Sequence, residues 1–189
     1  MNSGSSIETE NILQPTVFIS IGSNIDPHNH LIGAHQTLSD LLGNAVISPI
    51  YQSPAVGMKG NDFLNAVISG VTKKTLSDLM QTLSQIECKA GRVRTADKFS
   101  DRTLDLDLLL YGDRVCTQTI NNTSGQKTVT LPHPEILTEA HVLQPLADIA
   151  GDFIHPAVGV NIADLLLKLK QESPQKFLSL QQINLDIPE

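Results

Sequence analysis

Residues 102–112, RTLDLDLLLYG, set Asp105 and Asp107 one residue apart inside a run of leucines. In an extended chain side chains alternate faces, so Asp105 and Asp107 would share one face with Thr103 and Leu109, and Leu104, Leu106, Leu108 and Leu110 the other. Carboxylates on Cβ atoms roughly 7 Å apart can bracket one or two divalent cations. Left bare they would repel, and one would be driven toward protonation. Mg²⁺ relieves this, because it prefers oxygen ligands and fills its remaining positions with water and substrate phosphate. A solvent-facing strand paired with arginines would show the same triplet. The preceding window adds Lys89, Arg92, Arg94, Lys98 and Arg102 against only Asp97 and Asp101, five of the chain's 13 lysines and arginines. That is a local anion site. Carboxylates that bind metal, beside cations that neutralise moving charge, suit a nucleoside triphosphate. The chain has no G-x-x-x-x-G-K-[ST] loop and no HRD or DFG signature, which excludes Walker-type and protein-kinase sites.

These side chains need a scaffold, and 189 residues with 40% hydrophobic content suffice for one core. The expected organisation is a polar leader over residues 1–14, one domain over 15–172 and a tail over 173–189. TVFISI (16–21) reads as a strand entering a GSN turn, and Leu31, Leu38 and Leu42 mark an amphipathic helix over 30–42. AVISPIY (45–51) resembles a second strand, with Pro49 at an edge or bulge. QSPAVGMKGND is a loop, and FLNAVISGV (63–71) is a strand. Thr75 with Asp78 forms a capping box for a helix whose stripe is Leu76, Leu79, Leu83 and Ile86, ending near Gly91. After the leucine-aspartate strand, residues 121–127 read as a surface loop, TVTLPHP as extended chain, 142–149 as a short helix despite Pro145, and 161–170 as a last helix. Residues beyond Ser173 carry little pattern. The order β-α-β-β-α-β with additions predicts an α+β sheet backed by helices.

The net charge of −7 argues against a nucleic-acid binder. No segment approaches the length of a membrane span, and the start lacks a secretory signal, so a cytoplasmic location is expected. Cys88 and Cys116 fit neither a disulfide framework nor a zinc site. His28, His30, His35 and His155 read as surface or packing residues, since none has a metal-ligand partner one turn away.

The run GRVRTADKFSDRTLDLDLLLYG (91–112) closely resembles the signature of the 6-hydroxymethyl-7,8-dihydropterin pyrophosphokinases of the folate pathway. ISIGSN (19–24), YQSPAVG (51–57), FLNAV (63–67), LPHP (131–134) and VLQPLADIAG (142–151) agree in order. The resemblance implies a ferredoxin-like α+β fold, mainly antiparallel with helices packed on it. It also implies transfer of pyrophosphate from MgATP to the pterin hydroxymethyl group, releasing AMP. On that resemblance Asp105 and Asp107 hold two Mg²⁺ ions and Arg92 and Arg102 stabilise the migrating diphosphate. Glu87, Arg94, Phe99, Arg102, Thr130 and His133 contact ATP, and Asp107 is a candidate acceptor of the hydroxyl proton. Ser53, Pro54, Val56, Phe63, Asn65 and His141 form the pterin pocket. Phe63 and Asn65 have the i, i+2 spacing that puts an aromatic face and a bifunctional amide on one side of a strand, although Phe63 as core filling is the alternative.

Three positions depart from the family's pattern. A second stacking aromatic is replaced by His141, a glutamine of the ATP site by Ser84, and an arginine before LPHP by Thr128, with Lys127 adjacent as a substitute. Two alternatives stay open: a paralogue acting on another alcohol or pterin, and a non-catalytic nucleotide-binding module. The substrates expected are small molecules, with no nucleic-acid or membrane partner, and the sequence does not define an oligomeric state.

Overall fold

The computed structural model describes residues 14–55, 60–92, 101–122 and 125–185. Its centre is the antiparallel pair of β1 (Thr16–Ser23) and β4 (Phe63–Val71), joined on the other side of β1 by β5 (Asp105–Tyr111). The expected strand over 45–51 is two strands, β2 (Gly43–Ile47) and β3 (Ile50–Ser53), which pair with successive parts of β4. Pro49 interrupts them because it has no N–H to give to a ladder. Ser48 repairs the break: its N–H donates to the Val67 carbonyl at 2.9 Å and its hydroxyl accepts from the Val67 N–H at 3.0 Å. Where β2 enters, Gly70 lets the backbones approach, since a Cβ there would lie 2.8 Å from Leu42 Cβ.

One face of the sheet is covered by α1 (Pro27–Leu41) and α2 (Leu76–Lys89), whose Leu31, Leu38, Leu79 and Leu83 pack on Ile19, Ile21, Leu104, Leu106 and Leu108. α1 starts earlier than the apolar spacing indicates, with Pro27 in the first turn, where a missing N–H costs nothing. The capping box forms as expected: Thr75 Oγ1 accepts from the Asp78 N–H at 3.2 Å. The other face carries α3 (Ala140–Ala150) and α4 (Ile162–Glu172), with Val142, Leu143, Leu146, Ile162 and Leu166 against Phe18, Val67 and Leu109. β4 is covered on both faces and is correspondingly rich in apolar residues, with Asn65, Ser69 and Gly70 as the exceptions.

Strict alternation along β5 fails at one point. Phe18 pairs with Leu110 and Ile19 with Leu108, so Leu109 is an extra residue in a β-bulge. Leu110 therefore joins Leu109 in the core beneath α3 and α4 and leaves the face of Leu104, Leu106 and Leu108.

The expected surface loop over 121–127 is also shorter. β6 (Cys116–Asn122) and β7 (Gly125–Leu131) form a separate two-stranded hairpin that extends into it, so Lys127 stands in a strand. A 3-10 helix, Pro134–Leu137, leads into α3. Beyond Ser173 a second 3-10 turn, Pro174–Lys176, precedes β8 (Gln181–Ile183), which pairs antiparallel with β3 and completes a six-stranded sheet. Three residues with exposed glutamines have no periodicity to read, so only pairing with β3 reveals them. Among the described residues no helix is long and apolar enough to cross a membrane. The architecture is the ferredoxin-like α+β arrangement expected, with helices on both sheet faces.

Candidate functional site

Strand register assembles the site. Asp105 pairs with Gly22, Gly22 with Asn65 and Asn65 with Tyr51, so one row across four strands carries these residues on the α3 side. The next row brings Asp107 beside Ser20. This is the face that holds Phe18, Val67 and Leu109 at its other end, where α3 and α4 cover it. Beyond the helices the same face opens into a cavity of about 330 Å³. Ser20, Gly22, Asp105, Asp107 and Arg102 line one part of it, and Ser53, Pro54, Phe63, Asn65, His141 and Val142 another. Gly22 keeps the floor low: a Cβ there would meet Asn65 Oδ1 at 3.6 Å and Asp105 Cβ at 3.9 Å.

Asn65 is buried, and its amide nitrogen is committed to the protein. Nδ2 donates to Ser53 Oγ at 3.0 Å and to the Tyr51 carbonyl at 3.3 Å. That leaves Oδ1 turned toward Gly22 as the group available to a ligand. His141 starts α3 on the opposite wall. Burial lowers its pKa, with Lys176 acting the same way and Glu135 and Glu139 opposing, so its ring is neutral near pH 7 and can lie against an apolar or aromatic surface.

The charged half is a chain of ion pairs. Arg92 pairs with Glu87 and with Asp105, Arg102 pairs with the other oxygen of Asp105, and Lys127 Nζ donates to Asp107 Oδ1 at 3.1 Å. Glu87 is 3% exposed and also accepts from the Leu106 N–H at 2.9 Å, so it sits against the open edge of β5 and does not line the cavity. Burial alone would raise the Asp107 pKa, but Lys127, His133 and Arg92 outweigh it and hold the carboxyl below its ordinary value. The mutual repulsion expected of two bare aspartates is thus met by two arginines at Asp105 and by Lys127 at Asp107. Arg102 is pulled down by burial and by the neighbouring Arg92, with Asp107, Glu135 and Glu87 opposing.

Other expected residues fall elsewhere. His133 caps the 3-10 helix, its Nδ1 accepting from the Glu135 N–H at 3.4 Å, near enough to Asp107 to lower its pKa but outside the cavity lining. Thr130, half-buried on β7, accepts from the Thr117 hydroxyl at 3.3 Å and does not line the cavity. Val56, Arg94 and Phe99 lie outside the described residues. His155, expected at the surface or in packing, is buried.

Two pairs of residues were not anticipated. Glu135 and Glu139 line the cavity, and Lys176 from beyond Ser173 donates to Glu139 at 2.9 Å. No sequence spacing marks them. Ser23 and Asn24 hold the strand's approach: the Arg102 N–H donates to Asn24 Oδ1 at 2.6 Å, the Asn24 N–H to the Arg102 carbonyl at 3.0 Å, and the Ser23 hydroxyl to the Thr103 carbonyl at 2.5 Å. Asn24 Nδ2 also donates to Asp101 at 2.7 Å. The GSN triplet that closes β1 and follows it was the available signal.

Among the described residues no group of three or more His, Cys, Asp and Glu side chains is arranged to hold a metal ion. Asp105 and Asp107 still fit a hard cation. Both are oxygen donors opening on one cavity, and water and phosphate supply the other positions for such an ion.

Residues 18–151 match the family described as 7,8-dihydro-6-hydroxymethylpterin-pyrophosphokinase. A 2-amino-4-hydroxy-6-hydroxymethyldihydropteridine pyrophosphokinase of Synechocystis is 37% identical over 151 residues, 78% of this chain and 73% of the relative. The folic acid synthesis protein fol1 of Pneumocystis carinii is 34% identical over 89% of this chain, which spans 22% of that longer protein. The crystal structure of wild-type Plasmodium falciparum HPPK-DHPS with pteroate superposes with a TM-score of 0.70 over 90% of this chain, at 11% identity. This chain spans 46% of that one.

Proposed function

From its membership of the 7,8-dihydro-6-hydroxymethylpterin-pyrophosphokinase family, to which the chain belongs and which makes it a diphosphokinase of folate biosynthesis, we propose that the β1–β4–β5 cavity takes the pterin alcohol beside ATP. The observation that carries this reading is the convergence of Asp105, Asp107 and Arg102 with Phe63, Asn65, Ser53 and His141 on one cavity. Phe63 and the neutral His141 ring would face the two sides of the flat pterin, and Asn65 Oδ1 would accept from its amino edge. Arg92 and Arg102 would bind the polyphosphate, exchanging Asp105 for phosphate oxygens, a trade between similar charge-assisted bonds. Asp105 and Asp107 would hold two Mg²⁺ ions, which polarise phosphoryl oxygens and offset their charge.

The transfer balances as follows. The hydroxymethyl oxygen attacks the β-phosphorus and forms a new P–O bond. The bond from that phosphorus to the α,β-bridging oxygen breaks, AMP leaves with the bridging oxygen, and the hydroxyl proton passes to a base, for which Asp107 is the candidate. The protein's contribution is positioning and charge stabilisation, which supply most of the catalysis in phosphoryl transfer. Thr130, His133 and Glu87 support nucleotide binding less directly, His133 from the start of the 3-10 helix and Glu87 by holding Arg92. The test is product analysis with MgATP and 6-hydroxymethyl-7,8-dihydropterin. The pterin diphosphate with AMP in equal amounts is expected, and ADP, or no turnover of this alcohol, would refute the assignment.

A further inference from the structure

Lys127 differs from the other cations of the site in element, chemistry and partner. Arg92 and Arg102 flank β5 itself and both grip Asp105, whereas Lys127 comes from the separate β6–β7 hairpin and reaches Asp107. The hairpin is anchored a few residues away, where Ile120, Val129 and Leu131 enter the core beneath α2. Lys127 and Asp107 are each only about a third exposed, at 30% and 28%. Among the described residues Lys127 is the only hydrogen-bond partner shown for the Asp107 carboxylate.

Lys127 already occupies Asp107. A divalent ion at Asp107 has to share that carboxylate with an ammonium or displace it, and at such separations in a partly buried site the like charges repel strongly. The side chain that can yield is the lysine. Its ammonium is a compact, strongly hydrated charge on a flexible four-carbon stem, unlike a planar guanidinium bound through several donors.

We propose that Lys127 is an internal competitor for the divalent cation at Asp107, occupying that carboxylate until the metal enters and thereby setting metal affinity in the nucleotide-free enzyme. Lys127 is thus a positioning residue that holds Asp107 oriented and closed to metal until ATP adds negative charge to the cavity. The inference rests on the diphosphokinase reading only in taking Asp107 as a metal ligand.

The test is Mn²⁺ binding to the full-length, nucleotide-free protein, followed by electron paramagnetic resonance and calorimetry. Lys127→Met keeps the aliphatic stem and its packing, and Lys127→Arg keeps the charge. Lys127→Met is expected to bind Mn²⁺ about fivefold more tightly than wild type, the factor corresponding to the upper range of an exposed ion pair. Lys127→Arg is expected to bind no more tightly than wild type, and Asp107→Asn in the Lys127→Met background is expected to abolish the gain. Equal or weaker Mn²⁺ binding by Lys127→Met, including no detectable binding by either protein, overturns the proposal. So does a gain that survives Asp107→Asn. AMP release by wild type is measured separately, so a failed competitor role and a failed diphosphokinase reading give different results.

Discussion

Glu87 offers the sharpest check on how β5 is held in place. It is 3% exposed, pairs with Arg92 and accepts the Leu106 N–H at 2.9 Å, so one side chain fastens both the strand and the arginine that grips Asp105. Glu87→Ala leaves a buried N–H without its acceptor and removes one of the two carboxylates around Arg92. Losing the acceptor costs ~1–3 kcal/mol. Breaking a buried ion pair costs up to about 3–5 kcal/mol, less here because Arg92 keeps Asp105. A combined loss of about 3 kcal/mol follows, which at this chain length lowers Tm by roughly 6–12 °C. Glu87→Gln keeps the shape and an oxygen for Leu106 and loses only the charge, so about 1 kcal/mol and roughly 2–4 °C are expected. Thermal and urea unfolding of both variants measures this directly. Equal losses in the two variants, or an alanine variant within about 2 °C of wild type, would refute the claim that Glu87 fastens β5 through Leu106. In kinetics, Glu87→Gln is expected to raise KM for ATP more than it lowers kcat, because Arg92 is loosened and not removed.

Asp105→Asn and Asp107→Asn should each lower kcat about a hundredfold or more, the scale of losing one preorganised electrostatic group. Near-normal turnover of Asp107→Asn at saturating Mg²⁺ would remove both roles assigned to that residue. Phe63→Ala is expected to raise the pterin KM about tenfold with little change in KM for ATP, and equal effects on both substrates would mean that Phe63 only fills core. His141 makes a pH prediction. Burial lowers its pKa from 6.5 in the folded protein, against Glu135 and Glu139 and together with Lys176. Between that lowered value and 6.5 the unfolded chain binds a proton that the folded chain does not, so stability is fully present above 6.5 and falls as pH drops through the window. His155 shifts the same way, so the measurement is the difference between variants. His141→Phe should lose less stability than wild type between pH 7 and about pH 5.5 in urea titrations, and identical losses would refute the assignment.

Much of this was legible in the chain because local rules and tertiary demands coincided. Thr75 and Asp78 cap α2 as their spacing requires, β4 covers the 63–71 stretch that reads as a strand, and Asp105 and Asp107 do share a face. The misreadings share a cause. Whether Leu110 follows strict alternation depends on its register against Phe18, whether 121–127 is loop or hairpin depends on β6 finding β7, and β8 exists only because β3 has an open edge.

From sequence alone came the chemistry: two carboxylates one residue apart, arginines before them, an aromatic and an amide two residues apart, and a family resemblance that named the reaction. Residue type and spacing carry such information because a strand's twofold period is intrinsic to the backbone. Only the tertiary structure decided which groups meet. It paired Asp105 with two arginines and Asp107 with Lys127, put Glu87 against the edge of β5, brought Glu135 and Glu139 to the cavity wall, and tied Asn24 to Arg102 across 78 residues. Ion pairing and burial depend on distance in space, and that distance is set by strand register and helix packing, which no local stretch of the chain contains.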